Sequence, residues 1–492
     1  MSICLPTSHD YEVCSQTDDI FTIKQEKIHG KRKTFCMIVF CLAILCSVIV
    51  LVLFRFPSKT RDLEEFFQED EWDGKCRIGP HNDISTEVLP HAKIHEKYFK
   101  EKQNIINELF VNLTIIGSYV YNDHVSVTLT SGNLYGKKTY CRYFDCNRNE
   151  LFGSYESKVY PEATVYCPRR RGAEFMALTH ELENEPKELA RLIDRTGKYE
   201  HFFAVCLAPL HGMDPKWLMI IEFIEYYKLM GATMFYLYIV NVDEYTRIVL
   251  DDYARRGEIE LTVLHDVYWH PDWHWHMIML RDCHQRSKFH SKWVAQVDLD
   301  EKIMMNSSSP YTTISDYLRS VTDPNLVSLN FRIQYIQKTG TQPRRYVNES
   351  HTISEMEFRK YHLSSPVAPK LAQQKYIQRP DKIVSQHIHV AKPLYPGTRE
   401  DWIGPDIGYV RHYRKMNDVE FSPEGYIYKY GAFENTYIEQ QLEQKLTKVV
   451  VNRAKFVYEQ APLPPCEYRN MIYNRFRLTD ICDVKTNKTL KA

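Results

Sequence analysis

The sequence lacks the short signatures that would settle its chemistry. It has no CxxC pair, which argues against a zinc ribbon. It has no GxSxG, Walker A or GxGxxG element, so serine hydrolase, P-loop and dinucleotide readings find no support. Neither sign of charge is in excess. The 63 basic residues balance 63 acidic ones, whereas a general nucleic-acid binder carries a basic surplus. No internal repeat or low-complexity tract is present. What remains is ordinary globular composition, 26% charged and 44% hydrophobic, over 492 residues. That length suits one large domain with attachments, or two domains. Aromatics reach 13%, including 34 Tyr, a residue that stacks on sugar CH faces as readily as it fills a large core.

The one long apolar run is Thr34 to Phe54, 21 residues without a charge. As a helix it spans about 30 Å, the thickness of the hydrocarbon layer. Lys31, Arg32 and Lys33 precede it directly, so a cytoplasmic N-terminus is expected. A cleaved signal peptide is the competing reading, but both the run and the segment before it are too long for one. The expectation is therefore a signal anchor at 34–54, a cytoplasmic tail at 1–33 and a luminal remainder. Eight cysteines fall beyond the span, an even number that permits disulfides in an oxidising compartment. Sequons at Asn112, Asn306, Asn348 and Asn487 are candidate glycosylation sites.

Residues 55–104 are polar, acidic and interrupted by Pro57, Pro80 and Pro90, and read as a stem. Short alternating runs then predict a small β-rich subdomain over 105–198, with 180–197 as a connecting helix or linker. From His201 strand and helix alternate: HFFAVCLAPL, WLMIIEFIEYYKLMG, MFYLYIV, DEYTRIVLDDYARRG, IELTVLHD, WHMIMLRDCHQRSKFH and WVAQVDLDEKIMM. Repeated βα units imply an α/β fold with a doubly wound, mostly parallel sheet, its ligand at the carboxyl ends of the strands. This domain is assigned to 199–465, followed by an extension at 466–492.

The sharpest chemical feature is Asp298-Leu299-Asp300, placed at the carboxyl end of the fourth strand. On an extended chain two carboxylates two residues apart face the same way, and can share a hard divalent ion while leaving positions open for phosphate oxygens. A solvated turn is the bland alternative. In the cluster Tyr268 to His276, His270 and His274 have the spacing of a helical metal pair. Pro271 fits that poorly, and an aromatic rim or plain packing is the better reading. His387 and His389 share a face, and either could be a late metal ligand or a structural histidine. Arg411-His412-Tyr413-Arg414 brings together two guanidiniums suited to a diphosphate and one further imidazole.

In order and spacing, FIEYYKLMGATMFYLYIVN, LRDCHQRSKFHSKWVAQVDLDEKI, KYIQRPDKIVSQHIHV and RHYR resemble glycosyltransferase family 92, formerly domain of unknown function 23, from about His201 to Arg414. The resemblance implies a GT-A fold, a divalent metal (usually Mn2+) and inverting transfer of galactose from UDP-galactose to a glycan such as core fucose. It also implies a Golgi type II membrane protein. Carried over by residue, Asp298 and Asp300 would hold the metal; on the chemistry of the residues alone, His389 could complete the set, or His387 or His412 in its place. Pro209, Asn241, Asp266, Asp282, Arg411 and Arg414 would serve the UDP-hexose donor. Three departures are visible: Arg281 replaces an Asn, Lys302 a Phe and Gln334 a Trp, the last in a region expected to face the acceptor. An inverting transfer needs a base, for which the carboxylates are Glu355, Asp381, Asp401, Asp406 and Glu434. Two other readings compete: a membrane-anchored lectin on a decayed transferase fold, and a metal-dependent phosphodiesterase.

Overall fold

The alternating runs near the start pair into one sheet. Its strands are β1 (Ile115–Val120), β2 (Val125–Leu129), β3 (Lys138–Phe144), β4 (Glu150–Lys158), β5 (Thr164–Cys167), β6 (Phe175–Thr179) and β7 (Ala190–Asp194). They lie in the order β4-β3-β6-β7-β1-β2-β5, antiparallel except where β7 runs parallel to β1. The computed structural model describes residues 76–461 apart from 77, 88, 90–112, 132–135, 161–162, 393 and 416–422. The expected tail, the span at 34–54, most of the stem, the 466–492 extension, and the sequons Asn112 and Asn487 lie outside the described residues. Among the described residues no helix is long and apolar enough to cross a membrane.

The expected helix or linker at 180–197 is corrected in part, because β7 occupies its second half. Ala190 and Leu192 are buried while Arg191 is exposed, a period of two, and pairing with β1 and β6 rewards that pattern over the helical propensity of the Glu-rich run. Disulfides Cys76–Cys146 and Cys141–Cys167 staple this region.

The βα series follows as β8 (His201–Leu207), α1 (Trp217–Leu229), β9 (Met234–Ile239), α2 (Glu244–Arg255), β10 (Ile259–Val263), α3 (Asp272–Ser287) and β11 (Ser291–Val297). Asp243 caps α2 by accepting from the Thr246 N–H. Gly231 and Gly257, both at positive φ, end α1 and α2 where a side chain would be strained. Strands β8 to β11 align in parallel in the order β10-β9-β8-β11.

Then come β12 (Glu301–Met305), α4 (Ile314–Ser320), β13 (Leu326–Phe331), β14 (Ile333–Lys338), α5 (Glu349–Glu355) and α6 (Glu357–Lys360). They are followed by β15 (Leu363–Ser364), β16 (Lys375–Gln378), β17 (Arg399–Trp402), β18 (Gly408–Lys415) and β19 (Glu434–Asn435). β16, β13 and β17 extend the main sheet to β10-β9-β8-β11-β16-β13-β17, in which β16 alone runs opposite to its neighbours. A third sheet has the order β12-β18-β14-β15-β19.

The main sheet is covered on both faces. Phe203, Val205 and Leu207 of β8 share a core with α1 and α2, while Ala204 and Cys206 share one with α3. On the α3 face Cys206 is bonded to Cys283. Closing a loop of 77 residues, this bond restricts the unfolded chain strongly. The double variant Cys206→Ala/Cys283→Ala should lose about 2–4 kcal/mol of stability in a denaturant titration. A change under about 0.5 kcal/mol would refute that role.

Candidate active site

In the order β10-β9-β8-β11 the chain leaves β8 in one direction and returns beside it as β11 from the other. A parallel sheet binds ligands at the carboxyl ends of the strands flanking such a reversal. Here those ends are Ala208–His211 after β8 and Asp298–Asp300 after β11, and both line one cleft of about 460 Å³. Lys338 at the end of β14 and Tyr413 and Lys415 of β18 line the same cleft. Lys216 and Met219, and Asp272, Trp273 and His276 of α3, complete its lining.

Asp298 and Asp300 do not sit on one extended strand, as the alternation argument supposed. The predicted strand WVAQVDLDEKIMM breaks at them: β11 belongs to the main sheet and β12 to the third, with Asp298–Asp300 as the turn between. The turn is held by the Glu301 N–H donating to the Asp298 carbonyl at 3.1 Å, and by the Asp298 N–H donating to Glu301 Oε2 at 2.8 Å. Both aspartates still reach the cleft.

The charges around this turn are closely paired. Lys375 Nζ lies 3.0 Å from Asp298 Oδ2 and 3.1 Å from Glu301 Oε2. Burial would raise the Asp298 carboxyl, but Lys375 and His276 hold it far below its ordinary value. His412 Nε2 is 3.3 Å from Asp300 Oδ2 and lowers that carboxyl against the effect of burial. Against burial, the same contact raises His412, so this imidazole is engaged with Asp300. Glu301, fully enclosed and next to Asp298, is pushed up to about 7, first by burial and then by the neighbouring charge. Asp298 Oδ1 is buried and accepts no hydrogen bond, and His276 Nε2 stands 3.7 Å from it. A carboxylate oxygen left bare beside a second aspartate suits a divalent ion.

The other expected site residues distribute unevenly. Pro209 lines the cleft. Asn241 is exposed and accepts from the Gly212 N–H at 2.6 Å, so it shapes the loop beside His211. Asp266 binds the hydroxyls of Thr114 and Thr130 and His270 Nε2, and is held at about 2 by these bonds despite burial. His270 in turn meets His274 at 2.7 Å, so this pair belongs to the packing around Asp266 rather than to a metal. His389 donates its Nδ1–H to the Gln374 carbonyl at 3.1 Å, close enough to Lys375 and Asp298 to be influenced by both. His387 is exposed, and its carbonyl takes the Tyr376 hydroxyl at 2.7 Å.

Two donor assignments are corrected. Asp282 is wholly buried: Tyr119, Thr128 and Tyr238 donate their hydroxyls to it, and Arg286 Nε stands 3.1 Å away. It joins the first sheet to the main one and offers no surface to a ligand. Arg411 is 1% exposed and committed to Thr436. Arg414 is half-buried on β18 between the two cleft residues Tyr413 and Lys415.

None of the expected bases lines the cleft. Glu355 pairs with Lys360 at the end of α5. Asp381 follows β16 beyond Gln378, which pairs with Val294, and so lies toward the amino end of β11, roughly 20 Å from Asp298 at 3.3 Å per residue. Asp406 is exposed in the turn before β18, at the Met305 end of β12. Asp401 and Glu434 are exposed on β17 and β19. Of the described sequons, Asn348 is exposed and caps α5, whereas the Asn306 amide nitrogen donates to the Pro405 carbonyl at 2.9 Å, which ties up the atom a glycan needs.

Sequence reasoning overlooked the lysines. Lys216, Lys338 and Lys415 line the cleft and Lys375 sits beneath it. Their signal was position, since Lys338 and Lys415 each end a strand of the third sheet. Lys302, where the resemblance expects Phe, is 2% exposed and lies 3.0 Å from Glu222 and 3.8 Å from Glu357. Glu357 also takes Lys338, so the unexpected ammonium is compensated inside a buried ion cluster that reaches the cleft wall.

The model of glycosyltransferase family 92 matches residues 201–450. Among proteins of curated function, none matches the chain. Among solved structures, HddC from Yersinia pseudotuberculosis is 10% identical, over 46% of this chain and 97% of its own, at a TM-score of 0.24. S. aureus TarS 1-349 in complex with UDP-GlcNAc is 10% identical, over 58% and 77%, at 0.26. The mannosyltransferase PcManGT from Pyrobaculum calidifontis, in complex with GDP-Man and Mn2+, is 9% identical, over 60% and 86%, at 0.25. TM-scores this low establish no shared fold.

Proposed function

The chain belongs to glycosyltransferase family 92, and from that premise we propose that it moves a hexose, specifically galactose, from a UDP-sugar to a hydroxyl of a glycan with inversion. The observation that carries this reading is the cleft at the sheet reversal, where the bare Asp298 Oδ1 and Asp300 stand among Lys216, Lys338 and Lys415. That mixture of carboxylate and ammonium suits a sugar nucleotide and its cation better than either alone. Asp298 and Asp300 are the residues that would hold a divalent ion such as Mn2+, whose charge offsets that of the departing diphosphate.

The remaining steps belong to side chains of this chain. The three cleft lysines attract and orient the diphosphate. The Ala208–His211 segment, braced by Asn241, forms the wall beside the nucleotide. Trp273, 66% exposed at the mouth, offers a ring face to a sugar. Outside the metal turn, Asp272 is the carboxylate among the cleft residues, with His211 Nδ1 3.4 Å from its Oδ2. In place of Glu355, Asp381 and Asp406, this pair takes the proton from the acceptor hydroxyl. A Golgi setting with one N-terminal span accords with residues 34–54 and with the three disulfides, which need an oxidising compartment.

The test is a panel of UDP-sugars offered with Mn2+ and a glycan array to the purified protein. UDP release and transfer should be greatest with UDP-galactose and vanish in EDTA. Absence of affinity for every UDP-sugar would sink the reading.

A further inference from the structure

A second cluster of metal-ligating groups lies at the other end of the sheet. Glu200 and His201 open β8 and His290 directly precedes β11, whereas Pro209 and Asp298 stand at the carboxyl ends of the same two strands. Glu200, His201 and His290 each present one ligand atom, all within 4.8 Å of one another, and among the described residues no other group of three does so.

The backbone brings them together. Ser291 is in register with His201, and the N–H groups of Glu200 and His201 both donate to the His290 carbonyl at 3.1 Å. Strand pairing therefore fixes the backbone positions of all three residues. Each ring is also oriented through its far nitrogen. His201 Nδ1 is 3.0 Å from Thr233 Oγ1, and His290 Nδ1 is 2.7 Å from the Tyr236 hydroxyl. With Nδ1–H donating to these oxygens, both Nε2 lone pairs are left for another partner, the arrangement that orients histidine ligands of metals. His290 Nε2 lies 3.6 Å from Glu200 Oε2, and the two rings meet edge to face at 4.9 Å. The half-buried His201 and exposed Glu200 give an ion a path in from solvent.

We propose that Glu200, His201 and His290 form a binding site for a borderline divalent ion of the Zn2+ class, separate from the catalytic cleft. Two nitrogens and one carboxylate supply three ligands, and water supplies the fourth. The ion ties the segment entering β8 to the segment entering β11.

Zn2+ titrated calorimetrically into the metal-free full chain tests this. One equivalent should bind in the wild type and persist in Asp298→Ala/Asp300→Ala, which separates it from any ion in the cleft. His201→Gln and Glu200→Gln, both at accessible positions and so expected to fold, should each weaken that equivalent by at least about 100-fold, more than the loss of an orienting partner costs. Unchanged Zn2+ affinity in both variants overturns the proposal. So does a wild type whose bound Zn2+ is lost entirely in Asp298→Ala/Asp300→Ala, or one that binds none.

Discussion

Asp298→Asn and Asp300→Asn should each lower kcat for sugar transfer by about 10³-fold or more, the scale seen when a preorganised charge facing the reacting group is removed. The two variants should differ in how they bind nucleotide. Asp298 shares Lys375 with Glu301, so its amide variant leaves Lys375 paired with Glu301 alone, beneath a cleft already lined by Lys216, Lys338 and Lys415. Affinity for UDP in the absence of metal should therefore be kept or rise in Asp298→Asn. Asp300 is paired with His412 instead. Its amide variant removes the nearer of the two carboxylates that raise His412, so the imidazole shifts down although Glu301 Oε1 remains 3.6 Å from its Nδ1. Steady-state kinetics with metal-free UDP binding measures both effects. A variant that keeps more than a tenth of wild-type kcat would remove the turn from the catalytic machinery.

Asp282→Ala should be the most damaging substitution away from the cleft. It would leave the hydroxyls of Tyr119, Thr128 and Tyr238 without their acceptor and Arg286 short of one carboxylate. Taking one partner out of a buried charged network costs about 3–5 kcal/mol. Arg286 retains Glu260, which limits the loss to that range. Asp282→Asn, which keeps the shape and one acceptor oxygen, should recover part of the stability. Thermal unfolding of the three proteins decides between this role and one in ligand binding. If Asp282→Ala unfolded like wild type but lost donor affinity, the donor role would be restored.

Strands β8, β9 and β11 were readable because they are buried on both faces and α1 and α2 carry their own stops. Asp243 and Gly231 mark boundaries that burial alone would leave vague. β7 was misread since a strand held by parallel pairing to β1 carries little local signal, and the acidic run before it imitates a helix. The aspartate pair was found, but its geometry was not: nothing local says that the run from Trp293 to Met305 will change sheets after Val297. Charge in Arg411 and the family resemblance in Asp282 point to ligand residues, yet burial commits both to structural partners. Lysines at strand ends were the converse case. Lys338 and Lys415 are unremarkable in sequence and become informative only when β14 and β18 set their ends beside Asp298.

The Asp282 junction also separates two kinds of boundary. The stretch that matches the family begins at residue 201, yet the hydroxyls of Tyr119 and Thr128 that complete Asp282 come from β1 and β2. What is inherited as a recognisable block is thus smaller than what folds as a unit. A protease-derived or recombinant fragment starting at 201 would expose the α3 face that β1 and β2 cover, and would carry a charged core with its lid removed. The smallest soluble piece worth producing starts no later than Cys76, whose sulfur is itself bonded to Cys146.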